Sequence, residues 1–379
     1  MKRNLLLTPG PTQIPPQLCE VLGRPIIHHR TPQFQAILKE VAEGLKYVFQ
    51  TQNDVFVLTS SGTGAMEAAV TNLLSAGDKA ITVEGGKFGE RWSELSKAYG
   101  IKAEILKVEW GKSVRAADIE KILNAQKDIK AVFVTLTETS TAVDSDIKAI
   151  GEVVKKTGAV LVVDAIGGLG ATDLQTDNWS VDVVVSGSQK GLMLPPGLAF
   201  ISVSAKAWGL IEKSTNPKYY FSLKKAKKAA LQTDTPFTPA IGIIIALNEA
   251  LKMIKQAGLK NLFGRYKKLA QGIYAAAKAL GLTLFADSTC RSNVVTAINV
   301  PAGIDGKKLV KTMRDTYGIT FAGGQAELEG KIVRVCHMGA ITEEDILAGV
   351  ECLEVVLKEM GYKFETGAGV TAARKVFQS

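Results

Sequence analysis

Cysteine and histidine are scarce in this chain of 379 residues. The four cysteines, Cys19, Cys290, Cys336 and Cys352, show neither CxxC spacing nor the density of a disulfide framework. The three histidines are too few, and too poorly spaced relative to the cysteines, to predict a metal site. We therefore expect free thiols, a reducing cytoplasm and no bound metal.

Long apolar runs are absent as well. The longest candidate, residues 241–247, is far shorter than the roughly 20 residues of a membrane-spanning helix. The N-terminus has a charged start, but its apolar stretch is only the three leucines at 5–7, which is too short for a signal peptide. The sequence thus predicts a cytoplasmic protein that does not associate with a membrane.

Positive charge is in excess, with a formal net charge of +9, and much of it lies at residues 213–228. Such a cluster can bind nucleic acid. No recognised binding motif accompanies it, however, and a run of charges is more often a solvated helix face. We expect no nucleic-acid partner, although a basic surface attracts anionic metabolites.

Strand-like apolar patterns alternate with helical ones through the first half of the chain. The strand candidates are 55–59, 80–83, 103–108, 131–136, 160–164, 181–185 and 198–203. Helix candidates lie between most of them. This alternation predicts an α/β fold in which helices cover a mainly parallel, seven-stranded sheet.

The pattern changes after Pro239, where two long helical patterns precede a few strands and further helices. Those patterns are 241–256 and 259–280 for the helices, and 282–285, 294–300 and 332–335 for the strands. The length also suits two domains better than one core. We predict an extended arm at 1–16, a large domain at 17–255 and a smaller α+β domain at 256–379. The tail from residue 365 is expected to be loose.

Two strand patterns end in residues that carry chemistry. Asp164 closes one, and Lys190 follows the other after the small residues 186–188, which are expected to end that strand. Open α/β sheets bind ligands at the carboxyl ends of their strands, and a lysine in a dry pocket can act as nucleophile or base. Pyridoxal phosphate needs such a pair, since a lysine forms the imine with its aldehyde and a carboxylate keeps its pyridine nitrogen protonated. The alternative is a surface lysine on a loop.

A helix start at residues 61–64 offers a place for a phosphate. Ser61, Gly62 and Thr63 stand between a strand pattern and a helix pattern, where free backbone N–H groups and hydroxyls can bind an anion. Neither a dinucleotide fingerprint nor a P-loop is present, so a single phosphate fits better than a diphosphate or triphosphate. A simple capped turn is the alternative.

Other side chains are compatible with a ligand or with an ordinary structural role. Phe88, in a glycine-rich loop, can stack on a planar ring or belong to the core. Thr139, beyond a strand, can hydrogen-bond a ring oxygen or lie in a polar loop. Arg334 offers a planar fork for a substrate carboxylate, or is a surface residue on an edge strand. Thr235 and Thr238 lie in a proline-containing turn that is either part of a site or a plain linker.

Five motifs occur in order along the chain, at residues 61–67, 161–164, 186–190, 195–197 and 330–334. Together they resemble the class V aminotransferases, a branch of the fold type I pyridoxal-phosphate enzymes. The resemblance runs from residue 7 to about residue 360. It is most specific to the alanine–glyoxylate, serine–pyruvate and serine–glyoxylate aminotransferases.

The resemblance implies roles for individual residues. Those that would hold pyridoxal phosphate are Lys190 (imine and proton transfer), Asp164 (pyridinium nitrogen), Phe88 (ring face, where several relatives have tryptophan), Thr139 (ring hydroxyl), and Ser61, Gly62, Thr63 and Gln189 (phosphate). Thr235 and Thr238 would reach the phosphate from the neighbouring subunit, which implies a two-fold homodimer. Arg334 would bind the substrate α-carboxylate, with Gly10 and residues 28–30 near the entrance.

The implied activity is a ping-pong transfer of the amino group of a small L-amino acid, alanine or serine, to a 2-oxo acid, glyoxylate or pyruvate. Alternatives are an aspartate-type or 2-aminoethylphosphonate aminotransferase, and a cysteine desulfurase with Cys290 as nucleophile. The sequence around Cys290 does not look like the desulfurase loop, and those enzymes usually have a histidine where Phe88 stands. A non-catalytic partner subunit is a further alternative, because some relatives carry the label of a soluble hydrogenase small subunit.

Overall fold

The computed structural model describes residues 4–379. The strands are β1 (Leu5–Leu6), β2 (Asp54–Ser60), β3 (Lys79–Glu84), β4 (Lys102–Lys107), β5 (Ile129–Thr135), β6 (Thr137–Glu138), β7 (Val143–Asp144), β8 (Val160–Asp164), β9 (Val183–Gly187), β10 (Gly197–Val203), β11 (Val295–Asn299), β12 (Ile319–Thr320), β13 (Ala322–Gly323) and β14 (Ile332–Cys336). The helices are α1 (Pro16–Leu22), α2 (Pro32–Phe49), α3 (Gly62–Leu73), α4 (Lys87–Ala98), α5 (Ala116–Ala125), α6 (Ile147–Val154), α7 (Ala205–Ile211), α8 (Leu223–Ala230), α9 (Ile241–Ala257), α10 (Leu259–Ala279), α11 (Gly306–Tyr317), α12 (Glu343–Glu359) and α13 (Ala368–Gln378). None of the helices within residues 4–379 is long and apolar enough to cross a membrane.

A seven-stranded sheet forms the centre of the fold, in the order β2-β10-β9-β8-β5-β3-β4. The pairs from β9 to β4 are parallel, whereas β10 is antiparallel to both of its neighbours. This confirms the predicted α/β fold with a mainly parallel sheet. All seven strand patterns are strands in the structure, with ends that differ by at most two residues.

Strand β8 shows why a continuous apolar run lies at the centre of such a sheet. Val160 and Val162 pack into the hydrophobic cluster on one face, while Leu161 and Val163 pack into the cluster on the other. All four side chains are fully buried, so both faces are covered, as is usual for parallel strands. The same strand carries Asp164 to its carboxyl end.

A second, three-stranded antiparallel sheet has β14 between β11 and β13. The predicted strand at 282–285 is wrong: a single bridge joins Leu284 to Ile298, because the chain leaves the edge of β11 after one pairing. The proposed domain boundary at 255/256 falls in the last turn of α9, and the division into domains stays a prediction.

The C-terminal tail is not loose, contrary to the expectation. It forms α13, and the buried ring of Phe377 packs so closely on α10 that a Cβ atom at Gly272 would lie 2.5 Å from its Cε1 atom. The buried Glu354 carboxylate accepts the backbone N–H groups of Gly367 (2.7 Å) and Val370 (3.0 Å) at the start of this helix. Packing and capping therefore order the tail.

The N-terminal arm links the two sheets. β1 pairs in parallel with β12, and the carbonyl of Leu7 accepts the N–H of Cys336 at the end of β14 (2.8 Å). Further along, the N–H of Thr12 donates to the carbonyl of Gln189 (3.1 Å), and its hydroxyl donates to the carbonyl of Lys190 (3.0 Å). The arm thus fixes the loop that carries the lysine.

Candidate active site

Lys190 lies in the loop after β9, with its side chain directed inwards. The residue is only 9% exposed, and its Nζ donates to the carbonyl of Pro9. The small residues before it do not end the strand as expected: Ser186 and Gly187 continue β9, because β10 runs alongside and pairs with both. Burial of the lysine excludes the surface-loop alternative.

Lys190 and Asp164 share a dry environment. Burial lowers the pKa of Lys190 to about 8, and the Asp164 carboxylate opposes this shift. Burial raises the pKa of Asp164 to about 7, against a hydrogen bond from the N–H of Ile166 to Oδ1 (2.7 Å). Within residues 4–379 no other hydrogen bond reaches this carboxylate. Such a pair can bind a ligand and exchange protons with it near neutral pH.

Arg334 lies on the central strand of the small sheet, which excludes the alternative of a surface residue on an edge strand. It is 5% exposed, its Nε donates to the carbonyl of Gly323 (2.9 Å), and its Nη1 donates to the carbonyl of Thr139 (2.9 Å). Burial lowers the pKa of Arg334 to about 10, so the guanidinium remains charged at neutral pH. Among the described residues Nη2 donates to no acceptor, so it can donate to a bound carboxylate.

The start of α3 has the features of a phosphate cradle. Ser61 stands at the N-cap without a side-chain cap, and the first N–H groups of a helix have no acceptor within the helix. Gln189 Oε1 is buried and unpaired. A Cβ atom on Gly187 would lie 2.9 Å from this oxygen and 3.4 Å from the N atom of Gly62, so the amide and the helix start are adjacent. Because a 180° rotation exchanges the amide oxygen and nitrogen, Gln189 can donate to an anion bound there.

Phe88 lies in the first turn of α4 and not in the predicted loop, because the helix begins at Lys87. The side chain is half-buried, so it is not part of the core. Lys190 Nζ and the guanidinium carbon of Arg91 both lie over the ring, 6.0 Å and 5.2 Å from its centroid. A face of the ring is thus directed towards the lysine amine.

Glu138, on the strand β6, was not identified from the sequence, where it stood in an ordinary polar segment. It is 4% exposed. Its Oε2 accepts the N–H groups of Phe88 (3.1 Å) and Gly89 (2.9 Å), and its Oε1 accepts the N–H (3.2 Å) and hydroxyl (2.5 Å) of Ser140. Burial raises the pKa of Glu138, whereas these four donors oppose the shift. The neighbouring glycines at 85, 86 and 89 were the sequence signal for a close approach here.

One cavity of about 320 Å³ brings several of these residues together. Its walls include Gly10, Phe88, Thr139, Lys190 and Arg334, all named from the sequence, together with Gln325, which was not. A larger cleft of about 930 Å³, beside the end of α2 and the start of α10, contains none of the site residues named from the sequence. The larger cleft is therefore not the candidate active site. The smaller cavity is, because Lys190 and Arg334 both line it.

Several predicted site residues lie outside this cavity in the single chain. Thr238 is exposed, and the Thr235 hydroxyl donates to the carbonyl of Phe237 in its own turn (2.8 Å). Cys290 borders a separate cleft beside Asp144, and burial raises its pKa, which makes it a poorer nucleophile. Residues 28–30 are largely exposed and line no part of the cavity.

These features together define a class of protein. A buried carboxyl group and a buried amine lie at the carboxyl ends of two adjacent strands of an α/β sheet. A helix start that can bind a phosphate is adjacent to Gln189, and an arginine lines the same cavity as the amine. This donor set fits pyridoxal phosphate. Within residues 4–379 no group of three or more His, Cys, Asp or Glu side chains is placed to hold a metal ion.

Comparison with known proteins gives the same class. The family model described as Aminotransferase class-V matches residues 7–347. The "Soluble hydrogenase, small subunit" of Synechococcus sp. (strain PCC 6716) is 45% identical, over 100% of this chain and 99% of that protein. The L-aspartate–glyoxylate aminotransferase of Paracoccus denitrificans (strain Pd 1222) is 37% identical (99% and 96% covered), as is the serine–glyoxylate aminotransferase of Hyphomicrobium methylovorum (98% and 94%).

The crystal structure of ureidoglycine–glyoxylate aminotransferase from Bacillus subtilis superimposes with a TM-score of 0.95 at 29% identity, covering 100% of this chain and 99% of that one. The chain therefore belongs to the class V aminotransferase family, as a pyridoxal-phosphate-dependent transaminase of fold type I.

Proposed function

We propose that this enzyme moves the amino group of a small L-amino acid, alanine or serine, to a 2-oxo acid such as glyoxylate or pyruvate. The observation that carries the proposal is the small cavity whose walls include Gly10, Lys190 and Arg334. Among the described residues on its walls, Arg334 is the one cation besides the lysine, which suits a substrate with a single carboxylate. The serine–glyoxylate relative supports this substrate class.

We propose a role for each of these residues. When bound, pyridoxal phosphate withdraws electrons from the substrate α-carbon, so that the α-proton can leave. Lys190 would hold the cofactor through its Nζ, and the same amine, once free, would move the substrate α-proton. Asp164 would stabilise positive charge at the ring nitrogen, and Arg334 would orient the substrate through its carboxylate. Gln189 and the start of α3 would hold the phosphate, Phe88 would pack against the ring and Thr139 would hydrogen-bond the ring hydroxyl.

We also propose a two-fold homodimer in which Thr235 and Thr238 complete the partner's phosphate site. An exposed aromatic surface beside these threonines supports this. Tyr219 is 72% exposed, Tyr220 is 44% exposed, and the Tyr220 ring stacks on Phe237 at 5.1 Å. Exposed aromatic patches of this kind are typical of interfaces. The four unpaired thiols are compatible with a reducing cytoplasm as the location.

Absorbance spectra of the purified protein, recorded before and after single amino acids are added, test the proposed substrates. We expect a visible cofactor band that L-serine or L-alanine removes and that glyoxylate or pyruvate restores. A band that responds only to L-aspartate would support the second candidate, an aspartate-type enzyme, which the Paracoccus relative favours. A response to 2-aminoethylphosphonate alone would likewise replace the proposed donor. A band that no amino donor changes would contradict the proposal and favour a non-catalytic subunit.

A further inference from the structure

The Glu138 carboxylate binds the start of α4 together with Ser140. Glu138 accepts the N–H groups of Phe88 and Gly89, and the hydroxyl of Ser140 accepts the N–H of Lys87 (3.1 Å). The first three N–H groups of the helix are therefore bound by a turn that lies about 50 residues away in sequence. An ionised carboxylate at this position is also favoured by the positive end of the helix dipole.

The backbone around α4 leaves space for this carboxylate. A Cβ atom at Gly86 would lie 2.5 Å from the carboxyl carbon of Glu138, and one at Gly89 would lie 2.5 Å from the carbonyl oxygen of Val83. Any side chain at Gly86 would push Glu138 away from the helix. The glycines are thus a consequence of the close approach of two backbone segments at the edge of the site.

The same turn also binds Arg334, the residue assigned to the substrate carboxylate. Thr139 lies between Glu138 and Ser140, and its carbonyl accepts a hydrogen bond from Nη1 of Arg334. One short segment thus holds both the helix start that carries Phe88 and the guanidinium that lines the same cavity. A shift of this turn would move Phe88 and Arg334 relative to each other.

We propose that Glu138 is a positioning residue of the active site. It sets the orientation of the Phe88 ring against the cofactor and fixes the position of that ring relative to Arg334. The proposal rests on the roles assigned to Phe88 and Arg334 under the proposed function. Glu138 does not touch the reacting atoms; it acts through the start of α4 and through the turn that carries Thr139.

Glu138→Gln is the principal test, because it keeps the shape of the side chain and changes its hydrogen bonding. Both carboxylate oxygens accept a backbone N–H, so the glutamine NH₂ group must face an N–H donor in either orientation. We expect the Kd of the apoprotein for pyridoxal phosphate to rise about tenfold, and the visible circular dichroism of the bound cofactor to change. Glu138→Ala should raise this Kd further, because it removes all of the hydrogen bonds that the carboxylate accepts.

Glu354→Gln is the matched control. Glu354 is also 4% exposed and also accepts two N–H groups at a helix start, but it lies at α13 and not on the cavity. We expect it to lower thermal stability without changing cofactor affinity or circular dichroism. Equal effects of both substitutions on the cofactor would overturn the proposal, since they would show a general loss of stability.

A double-mutant cycle separates positioning from a merely structural role. If Glu138 acts through Phe88, then Glu138→Gln should cost much less cofactor affinity in a Phe88→Ala background than in the wild type. Fully additive losses would overturn the proposal. Glu138→Gln keeps the test valid if Glu138→Ala fails to fold.

Hydrogen exchange of the apoprotein gives a readout that does not need the cofactor. We expect Glu138→Gln to increase exchange at the amides of Phe88 and Gly89 about tenfold relative to α13. Unchanged exchange would overturn the link to α4. Failure of the wild-type protein to bind pyridoxal phosphate would instead refute the proposed function, so the two failures are distinguishable.

Discussion

A side chain at Gly10 would collide with Lys190. A Cβ atom on Gly10 would lie 2.5 Å from the Cδ atom of the lysine, and the backbone there has φ = +127°, which side chains rarely adopt. The arm therefore packs directly against the lysine side chain, and its Pro9 carbonyl accepts a hydrogen bond from Nζ. The absence of a side chain at residue 10 is a requirement of the site.

Gly10→Ala should weaken cofactor binding and activity about 10- to 100-fold, because it strains the backbone at φ = +127° and displaces the end of the Lys190 side chain, at a cost of about 1–3 kcal/mol. A titration of the apoprotein with pyridoxal phosphate measures the effect. Gly158→Ala is the control, since a Cβ atom at Gly158 would meet open space. An unchanged Kd for Gly10→Ala would show that the arm is displaced when the cofactor binds.

The rate at which the apoprotein incorporates pyridoxal phosphate should rise with pH around 8. Only the neutral amine attacks the aldehyde, and burial lowers the pKa of Lys190 to about 8. Below that pH the lysine is protonated and the rate falls; above it the rate levels off. Stopped-flow absorbance between pH 6.5 and 9.5 measures the profile, with Lys190→Ala as the blank. A rate that still climbs steeply at pH 9.5 would indicate an ordinary, solvated lysine.

Arg334→Lys should raise the KM for the amino donor about 10- to 100-fold. Lysine has no planar fork, so it cannot keep the bonds to Gly323 and Thr139 and also bind a carboxylate. Steady-state kinetics with L-serine and L-alanine measure the effect. Arg314→Lys, at an exposed ion pair with Asp315, should leave KM unchanged. A normal KM for Arg334→Lys would mean that another group binds the carboxylate.

Phe377→Ala should lower the free energy of unfolding by about 3 kcal/mol, since it empties the contact between α13 and Gly272. Urea denaturation measures this, and cofactor affinity should not change. The exposed neighbour provides the control, with Gln378→Ala expected to cost less than about 0.5 kcal/mol. A similarly small loss for Phe377→Ala would show that α13 contributes little to folding.

Local patterns were sufficient for the seven strands of the large sheet and for two central residues. Asp164 and Lys190 each follow a run of buried β-branched residues, so their place at the carboxyl ends of adjacent strands could be predicted from the sequence. Arg334 was placed on a strand as well, but its burial depends on β11 and β13 on either side of it, which a single strand pattern does not reveal.

The remaining differences have non-local causes. Glu138 binds amides about 50 residues distant, so nothing in its own neighbourhood distinguished it from a polar loop residue. The apolar residues of α13, Val370, Ala373 and Phe377, have helical spacing, but the glycines at 367 and 369 made a helix unexpected there. The helix is stabilised by packing on α10 and by the Glu354 carboxylate. Tertiary contacts overrode local propensity in both cases.

The pairing of β1 with β12 has a consequence for the order of events in folding. Residues 5–7 bond to residues 318–320 and 336, whereas Pro9 and Thr12 bond to the loop at residues 189–190. Contacts between segments so far apart in sequence close a long loop of chain and form late. We therefore expect the arm to be fixed on both sides of Gly10 only after β12 and β14 have formed, so that the surroundings of Lys190 are completed late in folding.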